Sequence, residues 1–168
     1  MMKIGNWVPL EMEVVNGMLD LLDVTSGGVK YMELGAGDGR FMTEAIARGC
    51  SNVTGIEIEP DLAAQCQGLG LNVINDDIFN VDLSPYNRFT FWFNLSEYPL
   101  QIIALYLKIR NEAKKNARLV MLSDSIRRWR NGVELMDRDY SLPDNVQLAW
   151  QPIEKREILG NRFALFMV

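Results

Sequence analysis

The sequence feature that most constrains the fold is the glycine-rich run Tyr-Met-Glu-Leu-Gly-Ala-Gly-Asp-Gly-Arg at 31–40. The apolar stretch 29–34 predicts a short buried strand before the glycines, and 41–47 predicts a helix after them. Gly35 and Gly37 carry no Cβ, so the backbone there can approach a ligand closely. The start of the helix adds N–H groups that have no partner within the helix. We therefore predict a strand–loop–helix unit that binds a ligand where the strand ends.

An acidic residue distinguishes this loop from a phosphate-binding loop. Glu33 ends the predicted strand, and a carboxylate there suits a cationic or hydroxyl-rich ligand and repels a pyrophosphate. The dinucleotide pattern Gly-x-Gly-x-x-Gly is not met, because Gly39 follows Gly37 too closely. The Walker pattern is also missing from the sequence.

Two further acidic turns follow the next two predicted strands. Glu57 lies at the end of the strand predicted over 53–58, where an acidic group can accept both ribose hydroxyls of an adenosine. Asp76 and Asp77 follow the strand predicted over 71–74, where a carboxylate can accept from an adenine amino group and an apolar neighbour can cover the ring. Acidic turns after three successive strands predict an adenosine pocket at the point where the strand order reverses.

The remaining chain alternates between helical and strand patterns. Helices are predicted over 11–22, from Pro60 to Gly68, and over 100–113. Strands are predicted over 88–95 and 118–122, and the tail 146–168 predicts two antiparallel strands around Gly160-Asn161. Such alternation indicates an α/β fold with a doubly wound, mainly parallel sheet.

Composition narrows the range of functions. The 168 residues suit one domain, 1–168, and the net charge of −5 argues against a general nucleic-acid binder. Histidine is absent, which excludes a Ser-His-Asp triad, a Cys-His pair and a His-bound zinc site, and we expect no metal site. Cys50 and Cys66 are expected to be reduced thiols of a cytoplasmic protein. No apolar run is long enough to span a membrane, and no signal peptide is recognisable.

The set Glu33-Leu-Gly-Ala-Gly-Asp-Gly39, Glu57 and Asp77 resembles the motifs of class I S-adenosylmethionine (SAM)-dependent methyltransferases. The resemblance implies a Rossmann-like, seven-stranded sheet with helices on both faces, SAM as cofactor and S-adenosylhomocysteine (SAH) as product. The cofactor-binding residues that it implies are Glu33, Gly35, Ala36, Gly37, Glu57, Ile58, Asp76, Asp77, Ile78 and Asn94.

Shorter motifs are similar to the small archaeal class I protein lysine methyltransferases and their mitochondrial relatives. These motifs lie at 7–9, 37–40, 77–82 and 123–129. They imply that the acceptor is a lysine nitrogen of a partner protein. The chain departs from those enzymes at 94–99, where Asn-Leu-Ser-Glu-Tyr-Pro replaces a more apolar segment. A small-molecule acceptor and a non-catalytic SAM-binding module remain as alternatives.

The acceptor would lie near the end of the fourth strand. Asn94 and Ser96 offer groups that orient a nitrogen, and the Tyr98 ring suits a methylammonium. Ser96 equally suits a helix N-cap. The full set of acceptor-site candidates is Asn94, Ser96, Tyr98, Asp124 and Trp129. The tetrapeptide Asn-Pro-Pro-Tyr, which is typical of enzymes that methylate amino groups of DNA bases and of glutamine, is missing. Residues 1–10 are a candidate lid over the cofactor.

Methyl transfer from a sulfonium is an in-line displacement that depends mainly on positioning and desolvation. Burial lowers the pKa of a lysine acceptor, and bulk water can take its proton, so no general base is assigned. The basic cluster Arg127, Arg128 and Arg130 suits either a solvated loop or the acidic face of a partner protein. We expect a monomer or weak dimer.

Overall fold

The computed structural model describes residues 9–92, 99–122, 154–158 and 161–168. The helices are α1 Met12–Leu22, α2 Arg40–Ala47, α3 Pro60–Gly68 and α4 Pro99–Glu112. The strands are β1 Tyr31–Leu34, β2 Val53–Glu57, β3 Val73–Asn75, β4 Arg88–Phe91, β5 Arg118–Leu122, β6 Glu154–Ile158 and β7 Asn161–Met167. Among these residues no helix has both the length and the apolar character needed to cross a bilayer.

The strands join in one mixed sheet of order β3-β2-β1-β4-β5-β7-β6. Neighbours among β1 to β5 pair in parallel, whereas β7 is antiparallel to both β5 and β6. The predicted α/β class and the antiparallel C-terminal strand pair are therefore both found. In that pair Ile158 lies opposite Asn161. The sheet order reverses beside β1, so the first and fourth strands flank a crevice at their carboxyl ends.

Buried side chains alternate between the two faces of the sheet, as the pleat requires. In β1, Tyr31 contributes to an apolar cluster with α1, and its neighbour Met32 contributes to a second cluster with α4. The α1 stripe consists of Val14, Val15, Met18, Leu19 and Leu22, all fully buried. The α4 stripe consists of Leu105, Tyr106 and Ile109. Each helix thus buries one apolar face against the sheet, and β1 is buried on both sides.

Local hydrogen bonds explain where the strands differ from the sequence prediction. The first strand begins at Tyr31 rather than at Val29, because the Val29 N–H donates to the Ser26 carbonyl and closes a turn. The third strand begins at Val73 rather than at Leu71, because the Leu71 N–H still donates to the Cys66 carbonyl at the end of α3. In both cases an adjacent turn takes the backbone group that the strand would have used.

Close packing determines the residue type at Gly55, in the middle of β2. A Cβ added there would lie 2.5 Å from the Met42 sulfur of α2 and 2.9 Å from the Ala36 Cβ of the glycine loop. The loop and α2 therefore approach β2 as closely as a glycine allows. Gly27, by contrast, has open space within 4 Å of the same added atom.

This contrast gives a matched pair of substitutions. We expect Gly55→Ala to lower the free energy of unfolding by about 1–3 kcal/mol, because the new methyl overpacks the contact with Met42. The control Gly27→Ala should change it by less than about 0.5 kcal/mol. Urea unfolding followed by circular dichroism measures both values. Equal stability of the two variants would show that the contact between α2 and β2 is looser than described.

Candidate functional site

The carboxyl ends of β1, β2 and β3 lie side by side at one edge of the sheet. Leu34 is in register with Ile56, and Glu57 is in register with Asn75. The Asn75 side-chain amide donates to the carbonyls of Glu57, at 2.8 Å, and Ile58, at 3.3 Å. These bonds fix the turn after β2 against the end of β3. The predicted cofactor residues of these three strands are therefore brought to a common edge.

The glycine loop is held against β2 by backbone hydrogen bonds. The N–H groups of Gly35 and Ala36 both donate to the Ile56 carbonyl, at 2.9 and 2.8 Å. Gly35 and Gly37 have φ values of 97° and 55°, in the left-handed region that glycine adopts at little cost. The loop then closes where the Gly39 N–H donates to the Ala36 carbonyl, and α2 begins. The tight path follows from residue types that the sequence displays.

Glu57 is the acid that links this loop to β2. One carboxylate oxygen accepts the Gly37 N–H at 2.8 Å, and the other accepts the Glu59 N–H at 2.9 Å. The Cys66 thiol donates to the Gly37 carbonyl at 3.3 Å and holds the loop from the side of α3. A carboxylate oxygen has two acceptor positions, so each oxygen keeps one for a ligand hydroxyl. The role predicted for Glu57, acceptance of two ribose hydroxyls, stays a prediction.

The third acidic turn forms a single turn of 3-10 helix, Ile78–Asn80, which the sequence analysis did not predict. The Asp77 carboxylate caps it by accepting the Phe79 N–H at 3.0 Å. The Asp76 carboxylate accepts from the Asn80 side chain and from the Asp77 N–H, and these two bonds lower the pKa of Asp76. The residue type was a signal for this turn, since an Asp side chain commonly accepts from the backbone N–H two residues later.

Glu33 lies in a buried hydrogen-bond network below the glycine loop. Its carboxylate is 2% exposed, and one oxygen accepts hydrogen bonds from the hydroxyls of Tyr31 and Thr90. Burial raises the pKa of Glu33 to about 8, opposed by the hydrogen bonds from Thr90 and Tyr31 and supported by the negative charges of Asp38 and Glu57. The prediction that Glu33 contacts a ligand stays a prediction. The structure adds an internal network beneath the loop.

Thr90 and Tyr31 were missed by the sequence analysis. Tyr31 is two residues before Glu33 on the same strand, so the period-2 pleat puts their side chains on one face. Thr90 belongs to β4 and is opposite Glu33 only through the register of the two strands. The first contact could have been found from spacing, whereas the second required the strand pairing.

The Arg40 side chain connects the glycine loop to the chain just before α1. The Arg40 guanidinium donates to the Asp38 carboxylate, with distances of 2.5 to 3.0 Å. It also donates to the Leu10 carbonyl. Residues 9–10, the described end of the predicted lid, therefore lie beside the loop. Residues 1–8 of the lid lie outside the described residues.

The predicted acceptor residues lie outside the part of the chain that the structure describes. They are Asn94, Ser96, Tyr98, Asp124 and Trp129, and the basic residues Arg127, Arg128 and Arg130 lie outside it as well. The described chain approaches this region at Trp92, one residue after β4. The indole Nε1 of Trp92 is buried and finds no acceptor among the described residues, and no sequence motif pointed to it.

Searches by sequence find no match, either among protein-family models or among curated proteins. The fold is nevertheless similar to that of solved structures. An RNA methyltransferase from Salinibacter ruber in complex with SAH has a TM-score of 0.71 at 21% identity, covering 96% of this chain and 94% of that chain. A protein from Pyrococcus horikoshii OT3 has a TM-score of 0.65 at 12% identity, with 95% and 92% covered.

A mutant of MtNAS in complex with SAM has a TM-score of 0.61 at 16% identity, covering 93% of this chain and 60% of that chain. At these identities the comparison establishes a shared fold. The chain has the sheet architecture found in solved SAM-dependent methyltransferases.

The environment of Glu33 predicts a specific pH dependence of stability. A raised carboxyl pKa means that the folded state holds a proton that the unfolded state releases at about pH 4.5. Stability is therefore lost as the pH rises from that value through about 8. Glu33→Gln keeps an oxygen that accepts from Tyr31 and Thr90 but does not ionise.

The parent should lose stability as the pH rises from about 5 to about 9, and the variant should not. We therefore expect the unfolding free energy of the variant, relative to the parent, to rise by about 2–5 kcal/mol over this range. Urea unfolding of both proteins across this range measures the difference. Parallel stability curves would contradict the placement of the carboxyl in a dry interior.

Proposed function

We propose that this chain binds SAM at the carboxyl edge of β1, β2 and β3 and transfers the methyl group to an acceptor. The observation that carries the proposal is the Glu57 carboxylate. It is fixed by the N–H groups of Gly37 and Glu59, and one acceptor position remains on each oxygen. The shared fold of solved structures that contain SAM or SAH supports the same cofactor.

The residues of this edge fit an adenosine bearing an amino-acid tail. Glu57 would accept the two ribose hydroxyls, and Asp77 with Ile78 would contact the adenine amino group and ring. Ile58 and Asp76 would flank the same ligand, and Gly35 with Ala36 would let the tail pass close to the backbone. SAM supplies an activated methyl on a sulfonium, so the protein has to orient the acceptor and exclude water. The buried acid Glu57 lies where a negative charge favours a cationic cofactor.

For the acceptor, the first candidate is a lysine side-chain nitrogen of a partner protein, which rests on the short motifs at 7–9, 37–40, 77–82 and 123–129. The acceptor residues proposed for it are Asn94, Ser96, Tyr98, Asp124 and Trp129. A small molecule is the alternative within the same reaction class. A SAM-binding module without turnover is the alternative of another class.

One observation favours a further acceptor. The Salinibacter ruber structure, whose match covers nearly the whole length of both chains, is an RNA methyltransferase. RNA is therefore the second candidate for this chain, although the net charge of −5 is unfavourable for phosphate contacts. The acceptor experiment below distinguishes the four possibilities.

The cofactor assignment is tested by calorimetric titration of SAM into the protein and two variants. We expect Glu57→Gln to weaken SAM binding by about tenfold or more, because a buried ribose hydroxyl loses a charged acceptor. Asp61→Asn, an exposed acid at the start of α3, should bind SAM as the parent does. Glu57→Gln should weaken the binding of SAH and of adenosine by a similar factor, since both contain the ribose. Undiminished SAM affinity in Glu57→Gln would overturn the assignment.

The acceptor is identified by incubating the protein with methyl-labelled SAM and fractionated lysate. Label in a protein band that acid hydrolysis converts to methyl-lysine is the expected outcome for the first candidate. Label that is destroyed by ribonuclease indicates RNA, and label in the low-molecular-weight fraction indicates a small molecule. If SAM binds calorimetrically and no fraction is labelled, the chain is a binding module and the transfer step is wrong.

A further inference from the structure

A pair of arginines lies at the amino ends of the parallel strands, whereas the proposed cofactor site lies at their carboxyl ends. Arg88 begins β4 and Arg118 begins β5, and the two are directly in register on neighbouring parallel strands. Residues in register on adjacent strands point to the same face, and the strands are about 4.8 Å apart. The two guanidinium groups therefore share one small region on the face covered by α1, whose cluster contains Val120 of β5.

The described structure leaves this pair of charges poorly compensated. Arg118 pairs with the Asp23 carboxylate at 3.7 Å, which is long for an ion pair, and Asp23 also accepts from the Ser26 hydroxyl. Arg88 donates to the Asn87 carbonyl at 2.9 Å, and its buried Nε finds no acceptor among the described residues. Burial and the neighbouring Arg118 charge both lower the pKa of Arg88, and the Asp23 charge opposes them. Two like charges held together in this way cost stability unless an anion joins them.

The backbone around the pair is held in place by Asn87. Its side-chain oxygen accepts the Lys30 N–H at 2.9 Å, and its side-chain amide donates to the Gly28 carbonyl at 3.1 Å. Its own carbonyl accepts the Arg118 N–H at 3.0 Å. The segments that precede β1, β4 and β5 are thus tied together before any ligand arrives. Such an arrangement costs little reorganisation on binding.

Further positive charge surrounds the same edge. Lys30 precedes β1, and Lys114 and Lys115 lie in the turn before β5, and all three are exposed. The Lys114 N–H donates to the Tyr86 carbonyl at 3.2 Å, which holds this turn beside the segment leading into β4. In a chain with a net charge of −5, a local concentration of cations creates a field that attracts anions to this edge.

We infer that Arg88 and Arg118 form a binding site for a phosphate group, separate from the cofactor edge. A single guanidinium already matches a carboxylate, whereas two adjacent guanidinium groups offer two planar donor forks to the several oxygens of a phosphate. A phosphate monoester or inorganic phosphate carries a charge of about −1.5 to −2 at neutral pH, which matches the pair. The source is either free phosphate or the phosphate of a larger ligand such as RNA.

The test titrates the full chain with inorganic phosphate, followed by the backbone amide signals of residues near the pair in nuclear magnetic resonance spectra. We expect saturable shifts with a Kd on the order of millimolar. Arg88→Gln and Arg118→Gln should each weaken this binding by about tenfold, because each removes a charged donor. Arg88→Lys should weaken it as well, since a lysine keeps the charge and loses the fork.

Arg156→Gln provides the matched control, because it removes an exposed arginine of β6, which pairs with Glu154. It should leave phosphate binding unchanged. A second arm uses an oligouridylate in place of phosphate. If it binds more tightly, competes with phosphate and loses affinity in the same two variants, the phosphate comes from RNA. Binding of inorganic phosphate alone identifies free phosphate as the ligand.

Binding of oligouridylate and binding of inorganic phosphate alone both support the site. SAM binding is expected to be unaffected in either case. No saturable phosphate shift, or equal binding by the parent and both glutamine variants, overturns the inference. The arginines would then serve only to neutralise Asp23 and the carbonyl end of α1. Binding of polyglutamate without binding of phosphate would also overturn it, because an acidic protein would then be the partner.

Discussion

The carboxylate of Glu57 joins the glycine loop after β1 to the end of β2, and the form of the proposed cofactor edge depends on this link. The loop has no side chains of its own with which to hold a conformation at Gly35 and Gly37. Its path is set by the Ile56 carbonyl from one side and by the Glu57 carboxylate from the other. The residue proposed to bind the ligand therefore also shapes the loop that the ligand would contact. Pre-organisation of this kind lowers the cost of binding.

Two buried acids serve this edge in different ways. The Glu57 carboxylate accepts hydrogen bonds from two backbone N–H groups, those of Gly37 and Glu59. Glu33 accepts from two hydroxyls, and burial dominates, so the pKa of Glu33 rises to about 8.

The two edges of the sheet have opposite electrostatic character. Acids lie at or just after the carboxyl ends of β1, β2 and β3, whereas arginines begin β4 and β5 at the amino ends of the parallel strands. A phosphate bound by Arg88 and Arg118 would lie across the sheet from the proposed site of methyl transfer. The inference at that edge does not depend on the cofactor assignment, because it rests on a separate set of residues and hydrogen bonds.

Much of the fold could be predicted from the sequence, because its periodicity is local. The spacing of Val14, Met18 and Leu22 predicted α1, and the limits of β5 were predicted without error at Arg118–Leu122. Errors occurred where a turn competed for a backbone group, as at Val29 and Leu71. Such competition depends on a few hydrogen bonds of similar energy, which apolar periodicity does not report.

The sequence by itself determined the alternation of strands and helices, the glycine loop and the acids that follow three strands. Only the tertiary structure decided which atoms these acids contact. It turned one Glu33 oxygen inward to Thr90 and brought Arg88 beside Arg118. The physical reason is strand register: each of these pairs meets only through the pairing of strands that are distant in the chain, and no local pattern encodes that pairing.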